Sequence, residues 1–235
     1  MNKKWLFFDC METLVDLTEL PKLKDYAYWA FDGSGVEGLW NSFDDFFENY
    51  INARQSIAQE IPQDEEYEMH ERMKRIVQLS FEDKQGIAVN KISQMLYINY
   101  WKNYKSKCYV KKEVKSALEL LGKKYRLAVV SNFMVMDGIE ELLIENEIYD
   151  YFNFIVTSIK TGWRKPNINI YNEATKKARA KTGDITFIGD DYINDFITPR
   201  KIGMRSLLLD RNRQHTELGE RVDNFEQLKW ILNKD

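Results

Sequence analysis

Four stretches of this chain run from apolar residues into side chains that can act as nucleophile, anion binder or cation ligand. Asp9 follows Trp5-Leu6-Phe7-Phe8 and is followed by Thr13. Ser131-Asn132 follow Leu127-Ala128-Val129-Val130, Lys165 stands between Arg164 and Pro166, and Asp190-Asp191 follow Phe187-Ile188-Gly189. Taken alone, Asp9 could simply end a strand or cap a helix. Its weight comes from the other three, because in an open parallel sheet the carboxyl ends of the strands lie along one lip, where ligands bind. There Asp9 and Asp190 could share Mg²⁺, a hard cation that takes one or two carboxylates together with waters and a substrate phosphate. Ser131 and nearby backbone amides could hold phosphoryl oxygens while Lys165 neutralises charge. Asp9 would then be a covalent nucleophile, forming an aspartyl-phosphate.

The elements needed to bring these residues together are legible. Trp5 to Phe8, Arg126 to Asn132, Phe152 to Ser158, Asp184 to Asp191 and Arg205 to Asp210 read as five buried strands, near-continuous apolar runs ending in polar residues. Helical patterns alternate with them: Lys111 to Leu121 with Gly122 as its stop, Met136 to Glu147, Asn167 to Ala180, and Asn224 to Leu232. Thr198-Pro199 reads as an N-cap followed by proline at the first helical position. Alternation of this kind implies right-handed crossovers and an α/β fold, a doubly wound, Rossmann-like parallel sheet.

Between residues 18 and 107 no strand is expected. Phe43 to Ala58, Met69 to Leu79 and Ile92 to Tyr104 place apolar residues at steps of three and four, so this is an inserted all-helical cap domain on a core of residues 1–17 and 108–235. From Asp25 to Glu71 there are twelve acidic residues and one basic one, Arg54, read here as sharing a helical stripe with Tyr50 and Ile57. Such an arginine either snorkels or pairs with an acid, or faces a cleft and meets an anionic substrate group. Trp40, Phe47 and Tyr50 could line that cleft or form plain core.

At 235 residues the chain can bury a sizeable core, and its net charge of -3 gives no basic footprint for nucleic acid. The two cysteines, Cys10 and Cys108, are too few for a disulfide framework. The apolar run near the N-terminus is too short for a signal peptide or a membrane span. These features lead to the expectation of a cytoplasmic protein with neither nucleic acid nor membrane as partner. Cys10 is expected in the core, and His70 and His215 are too isolated for a metal cluster and are expected at the surface.

In order and spacing, the Asp9-to-Leu14 segment, Ser131-Asn132, Arg164-Lys165-Pro166, and Gly189-Asp190-Asp191 with Asn194-Asp195 resemble the haloacid dehalogenase-like hydrolase superfamily. The likeness spans nearly the whole chain, and the helical insert resembles that superfamily's C1-type cap. The resemblance implies Mg²⁺ as cofactor and a small anionic, phosphorylated substrate. It makes Asp9 and Lys165 catalytic, with Thr13, Ser131 and Asn132 binding or orienting the transferred group. Asp9, Asp190 and the Met11 backbone carbonyl would hold the metal, with Asp191 and Asp195 in support. Asp191 could equally cap the following helix.

One departure shapes the functional expectation. Phosphatases of the superfamily usually carry a second aspartate two residues after the nucleophile, where it protonates the leaving alcohol and later activates water, and here that position is Met11, whose thioether moves no proton. Glu12 replaces the usual glycine, and on an extended chain it would point away from Asp9. The main expectation is a Mg²⁺-dependent phosphohydrolase, slow or restricted to leaving groups that need no proton. A 2-haloacid dehalogenase, whose halide leaves unprotonated and whose substrate carboxylate Arg54 could hold, is one alternative. A catalytically impaired binding protein of the same fold is the other.

Overall fold

The computed structural model describes residues 3–81 and 88–234. The chain forms two compact units, one of Met1–Leu17, Tyr109–Phe133 and Asp137–Asp235, the other of Thr18–Cys108 with Met134–Met136. The sequence had placed Met134–Met136 with the core; these residues pack instead with the insert, where the backbone N–H of Met69 donates to the carbonyl of Met134 at 2.8 Å.

In chain order, β1 (Trp5–Phe8) is followed by a tight loop and β2 (Asp16–Leu17). The helical unit then contributes α1 (Leu23–Phe31), α2 (Phe43–Glu60), α3 (Met69–Ser80) and α4 (Val89–Lys105). After β3 (Cys108–Tyr109) come α5 (Lys112–Lys124), β4 (Arg126–Ser131), α6 (Gly138–Glu145), β5 (Phe154–Thr157), α7 (Ser158–Thr161) and α8 (Ile168–Ala178). The chain continues with β6 (Ile185–Gly189), a π-helical segment over Tyr192–Ile197, α9 (Thr198–Lys201), β7 (Arg205–Leu209), β8 (Arg221–Val222) and α10 (Phe225–Lys234).

The core sheet is parallel throughout, in the order β5-β4-β1-β6-β7-β8. β1 is interior because it carries no polar residue on either face: Trp5 and Phe7 pack with Ala128, Val130, Ile170, Tyr171 and Phe187. On the opposite face the Phe8 ring lies 6.4 Å from that of Phe225 in α10. Helices therefore cover both faces, as the doubly wound reading requires.

Several local expectations are corrected. Gly122 does not end α5; its φ is not left-handed, and the helix runs on to Lys124, with the Tyr125 N–H donating to the Leu121 carbonyl at 2.8 Å. Thr198 is no N-cap: it follows directly from the π-helical turn and is already helical, with Pro199 in the first turn. β8 pairs only two residues, too few for periodicity to reveal. His70 and His215 are half-buried rather than surface groups, His70 beside Ser93 at 3.2 Å and His215 stacked on Tyr192 at 4.3 Å. Cys10 is fully buried.

In the helical unit α2 buries Phe46, Tyr50, Ala53 and Ile57, the one-sided stripe of an amphipathic helix. Ser42 caps it by accepting from the Asp45 N–H at 3.2 Å, and Asp44 and Asp45 lie in its positive first turn. Arg54 is exposed and lies off that stripe, which Ala53 fills instead, so the shared-stripe expectation fails by one residue. Trp40 and Tyr50 are core, and the Trp40 indole N–H donates to Ser80 at 2.8 Å. α4 ties off α1 through the Asn99 side-chain amide, which donates to the carbonyls of Trp29, Ala30 and Asp32 at 3.0, 3.2 and 2.7 Å. These are carbonyls that a helix end leaves without partners.

Candidate active site

Register places Phe8 of β1 beside Val129 of β4 and Ile188 of β6, so the residues that follow these strands share one edge of the sheet. Asp9 lies there, its N–H donating to the Ile188 carbonyl at 2.9 Å. Lys165, 5% exposed, reaches the same point from the loop before α8. Its ammonium donates to Asp9 Oδ1 at 2.8 Å and to Asp195 Oδ1 at 2.6 Å. Burial pulls the Lys165 pKa down, but Asp195 and then Asp9 outweigh it, so the group is held above its ordinary value and stays charged.

Carboxylate oxygens of Asp9, Asp190 and Asp195 lie within 4.8 Å of one another. Burial raises the pKa of both Asp190 and Asp195, and Asp9 beside them raises both further; for Asp195, Lys165 opposes the rise. Three carboxylates against one ammonium leave an excess of negative charge that a hard divalent cation would relieve, so the donor set fits Mg²⁺. The three are not equivalent. Asp195 has Oδ1 on Lys165 and accepts from the Asp191 N–H through Oδ2 at 3.1 Å. That leaves Asp9 and Asp190 as the pair able to hold a cation. Asp190 also accepts from the Thr13 hydroxyl at 2.8 Å.

Asp191 is exposed and caps the π-helical segment, its Oδ1 accepting from the N–H groups of Ile193 and Asn194 at 2.9 and 2.7 Å. Ser131 is buried at the end of β4, on the same edge. Asn132 spends both ends of its amide on the backbone of Lys165, accepting from its N–H at 2.7 Å and donating to its carbonyl at 2.9 Å. That is a positioning arrangement for the lysine rather than a free donor for a ligand. Arg54 belongs to the helical unit and is not among these residues.

The loop after Asp9 bends where the sequence suggested an extended path. Glu12 has φ +58°, the left-handed conformation that glycine adopts most readily. Its N–H donates to the Val15 carbonyl at 2.8 Å, and the N–H groups of Leu14 and Val15 both donate to the Cys10 carbonyl, at 2.8 and 2.9 Å. Alternation therefore does not decide where Glu12 points. Partial burial, then Asp16 and Asp9, push its carboxyl above the usual range.

Three supporting contacts escaped the sequence reading. Arg211, just past β7, donates to the carbonyls of Glu12 and Thr13 at 2.8 and 3.0 Å and to Asp16 at 2.5 Å, clamping the loop. Ser158 accepts from the Phe133 N–H at 2.8 Å and so fixes the turn after Ser131. Gly189 admits Asp195: a Cβ there would stand 2.2 Å from Asp195 Oδ2. The only signal for Gly189 was its place before Asp190-Asp191; Arg211 and Ser158 sit at strand ends, but no spacing marks their targets.

The strand ends of the parallel sheet thus converge on an aspartate, a lysine and two further aspartates, and comparison with known proteins gives the family. Residues 37–209 match the family model for haloacid dehalogenase-like hydrolases, and the chain belongs to that family. It is 38% identical over 84 residues to haloacid dehalogenase-like hydrolase domain-containing protein 3 of Xenopus laevis, covering 36% of this chain and 34% of that protein. It is 32% identical over 124 residues to glyceraldehyde 3-phosphate phosphatase of Methanothermobacter thermautotrophicus, covering 49% of this chain and 54% of that protein. These matches thus span between about a third and about half of the curated relatives' length. The fold is similar to that of a 2-haloacid dehalogenase from Pseudomonas syringae, with a TM-score of 0.78, 19% identity and 99% of each chain covered.

Proposed function

We propose that the protein is a Mg²⁺-dependent phosphohydrolase that acts on a small phosphorylated metabolite through an aspartyl-phosphate on Asp9, and that it favours leaving groups needing no proton. The observation that carries this reading is the buried Asp9–Lys165–Asp195 chain with Asp190 beside it, at 2.8 and 2.6 Å across the lysine. Two anionic oxygens would compete for Lys165 during transfer, Asp9 and a phosphoryl oxygen, and Asp195 holds the ammonium in place between them. The similarity to a glyceraldehyde 3-phosphate phosphatase supports a phosphoester over a haloacid.

In the reaction, an Asp9 oxygen attacks phosphorus while the bond to the leaving oxygen breaks and that oxygen takes the electron pair. Water then displaces Asp9 from phosphorus, and inorganic phosphate is released with the aspartate regenerated. Lys165, Ser131 and the neighbouring backbone N–H groups offset the charge on the equatorial oxygens. A cation on Asp9, Asp190 and the Met11 carbonyl would supply charge neutralisation that lets an anionic nucleophile approach an anionic phosphate. With a thioether at residue 11, nothing at that position donates a proton to the leaving group. An acyl phosphate, whose carboxylate leaves unprotonated, is the matched substrate class.

The test is phosphate release from acetyl phosphate by the full chain. Release that requires Mg²⁺ and disappears in Asp9→Asn is the expected result. Chloride release from 2-chloropropionate that persists in chelator would place the chain with the dehalogenases, and silence in both assays with the fold intact would leave a binding protein.

A further inference from the structure

In the core unit a cavity of about 490 Å³ opens beside the edge strand β5. Its walls come from α7 with the loop that follows it and from one face of α8, and buried Val156 lines it from the sheet. The volume is within the roughly 300–1,000 Å³ of small-ligand pockets. None of the residues assigned to the reaction at Asp9 lines it. Lys160 does, but its ammonium is held by Asp137 and Glu140 and is not free for a ligand.

The polar face that α8 turns to this cavity exists because its apolar residues point the other way. Ile170, Tyr171, Ala174 and Ala178 are buried in the core cluster, which leaves Asn169, Asn172, Glu173, Lys176 and Lys177 on the opposite side at steps of three and four. A solvated face of this kind is ordinary, and lysines in a last turn offset the helix dipole. Two observations set this one apart. Trp163 lines the same cavity, half-buried and packed on the core cluster around Phe187, yet its ring meets no other ring and its indole N–H has no acceptor among the described residues. The five polar side chains are equally unengaged among the described residues, although Glu173 stands at the spacing that usually pairs a carboxylate with the lysines that follow it.

We propose that this cavity binds a nucleoside monophosphate, with its base on Trp163 and its phosphate on Lys176 and Lys177. The groups follow one another along α8 in the order such a ligand requires. The amides of Asn169 and Asn172 each offer a donor and an acceptor, the pattern of a nucleobase edge. The Glu173 carboxylate, next along, accepts from a ribose diol, and the two ammoniums beyond it match a phosphate dianion. From Asn169 to Lys176 the helix rises about 10 Å, the reach of one nucleotide from base to phosphate. An indole already fixed by the core is a stacking platform that costs little to order. The site stands apart from the reaction proposed at Asp9, and no chemistry is assigned to it.

The experiment is calorimetric titration of AMP into the full-length protein in chelator, with adenosine and ribose 5-phosphate titrated in parallel. One saturable AMP site is expected, with each fragment at least about tenfold weaker because it lacks one half of the recognition. Replacing both lysines, Lys176→Ala with Lys177→Ala, should weaken AMP about tenfold and leave adenosine unchanged. Trp163→Ala should weaken AMP and adenosine alike, by about tenfold, and leave ribose 5-phosphate unchanged. Should that variant fail to fold, Asn172→Ala, at an exposed position, carries the same test on the base side. Absence of saturable AMP binding, or AMP binding that survives the lysine and Asn172 changes, would overturn the site. Ribose 5-phosphate bound as tightly as AMP would overturn the nucleotide as its ligand. Hydrolysis is not the readout, so each of these failures leaves the reading of Asp9 intact.

Discussion

At the scale of single residues, Met11 sets the chemical limit on the proposed phosphohydrolase. General acid–base help is worth about 10²–10⁴ in rate, and on that proposal the position two after Asp9 withholds it. Restoring a carboxyl there by Met11→Asp should raise turnover of alkyl phosphates towards that range, since the alkoxide needs a proton and the water that later displaces Asp9 must lose one. Steady-state rates on an alkyl phosphate decide it, and no gain at all would contradict the assignment of a missing acid. Asp9, Lys165 and Asp190 were readable because each stands at or near a strand end, where residue type alone suggests a use. Gly189 and Ser158 were not, because their value lies in what they touch: a Cβ-free gap for Asp195 and a backbone N–H of Phe133. Two arginines of the insert show the same limit. Arg54 and Arg72 both sit within amphipathic patterns, but whether Ala53 or Arg54 turns inward is settled by packing against neighbouring helices that periodicity does not see.

At the scale of elements, the loop between β1 and β2 is held from a distance. Its left-handed residue is a glutamate, which tolerates that conformation less readily than glycine, and the clamp from Arg211 compensates. Arg211→Ala removes donors from the carbonyls of Glu12 and Thr13 and a charge partner from Asp16. A loss of about 1–3 kcal/mol in urea unfolding is expected, with Arg211→Lys recovering only part of it because the fork geometry is gone. Full recovery by lysine would show that charge alone matters there. Long apolar strands and long helices were legible from their periods. The pieces that escaped are short or irregular: the two-residue β8, α1 with its weak pattern, and the π-helical turn that replaces the expected cap at Thr198.

At the scale of the whole molecule, the crowded carboxylates tie stability to pH and to the cation. Burial, with Asp9 alongside, pushes Asp190 up to about 7. An acid whose folded pKa is raised binds its proton more tightly in the folded state, so stability falls as pH climbs from the ordinary carboxylate value near about 4 through the raised one. Mg²⁺ competes with that proton, and its stabilisation should therefore grow over the same window. At a hundred times its dissociation constant it adds about 2.7 kcal/mol, or about 5–11 °C in Tm for a chain of this size. Thermal melts across that range, with Mg²⁺ and with chelator, measure it; a cation effect independent of pH would argue against the pair Asp9 and Asp190 as its seat.

The position of β1 also has a consequence for biosynthesis. β1 leaves the ribosome before both of its neighbours, β4 and β6, so its two edges stay unpaired until Arg126–Ser131 and then Ile185–Gly189 have emerged. At roughly 5–20 residues per second that delay is on the order of ten seconds or more. The intervening helices, whose contacts are closer in sequence, can assemble during that time. Nascent Trp5-Leu6-Phe7-Phe8 is thus a segment that benefits from shielding by a chaperone during that interval.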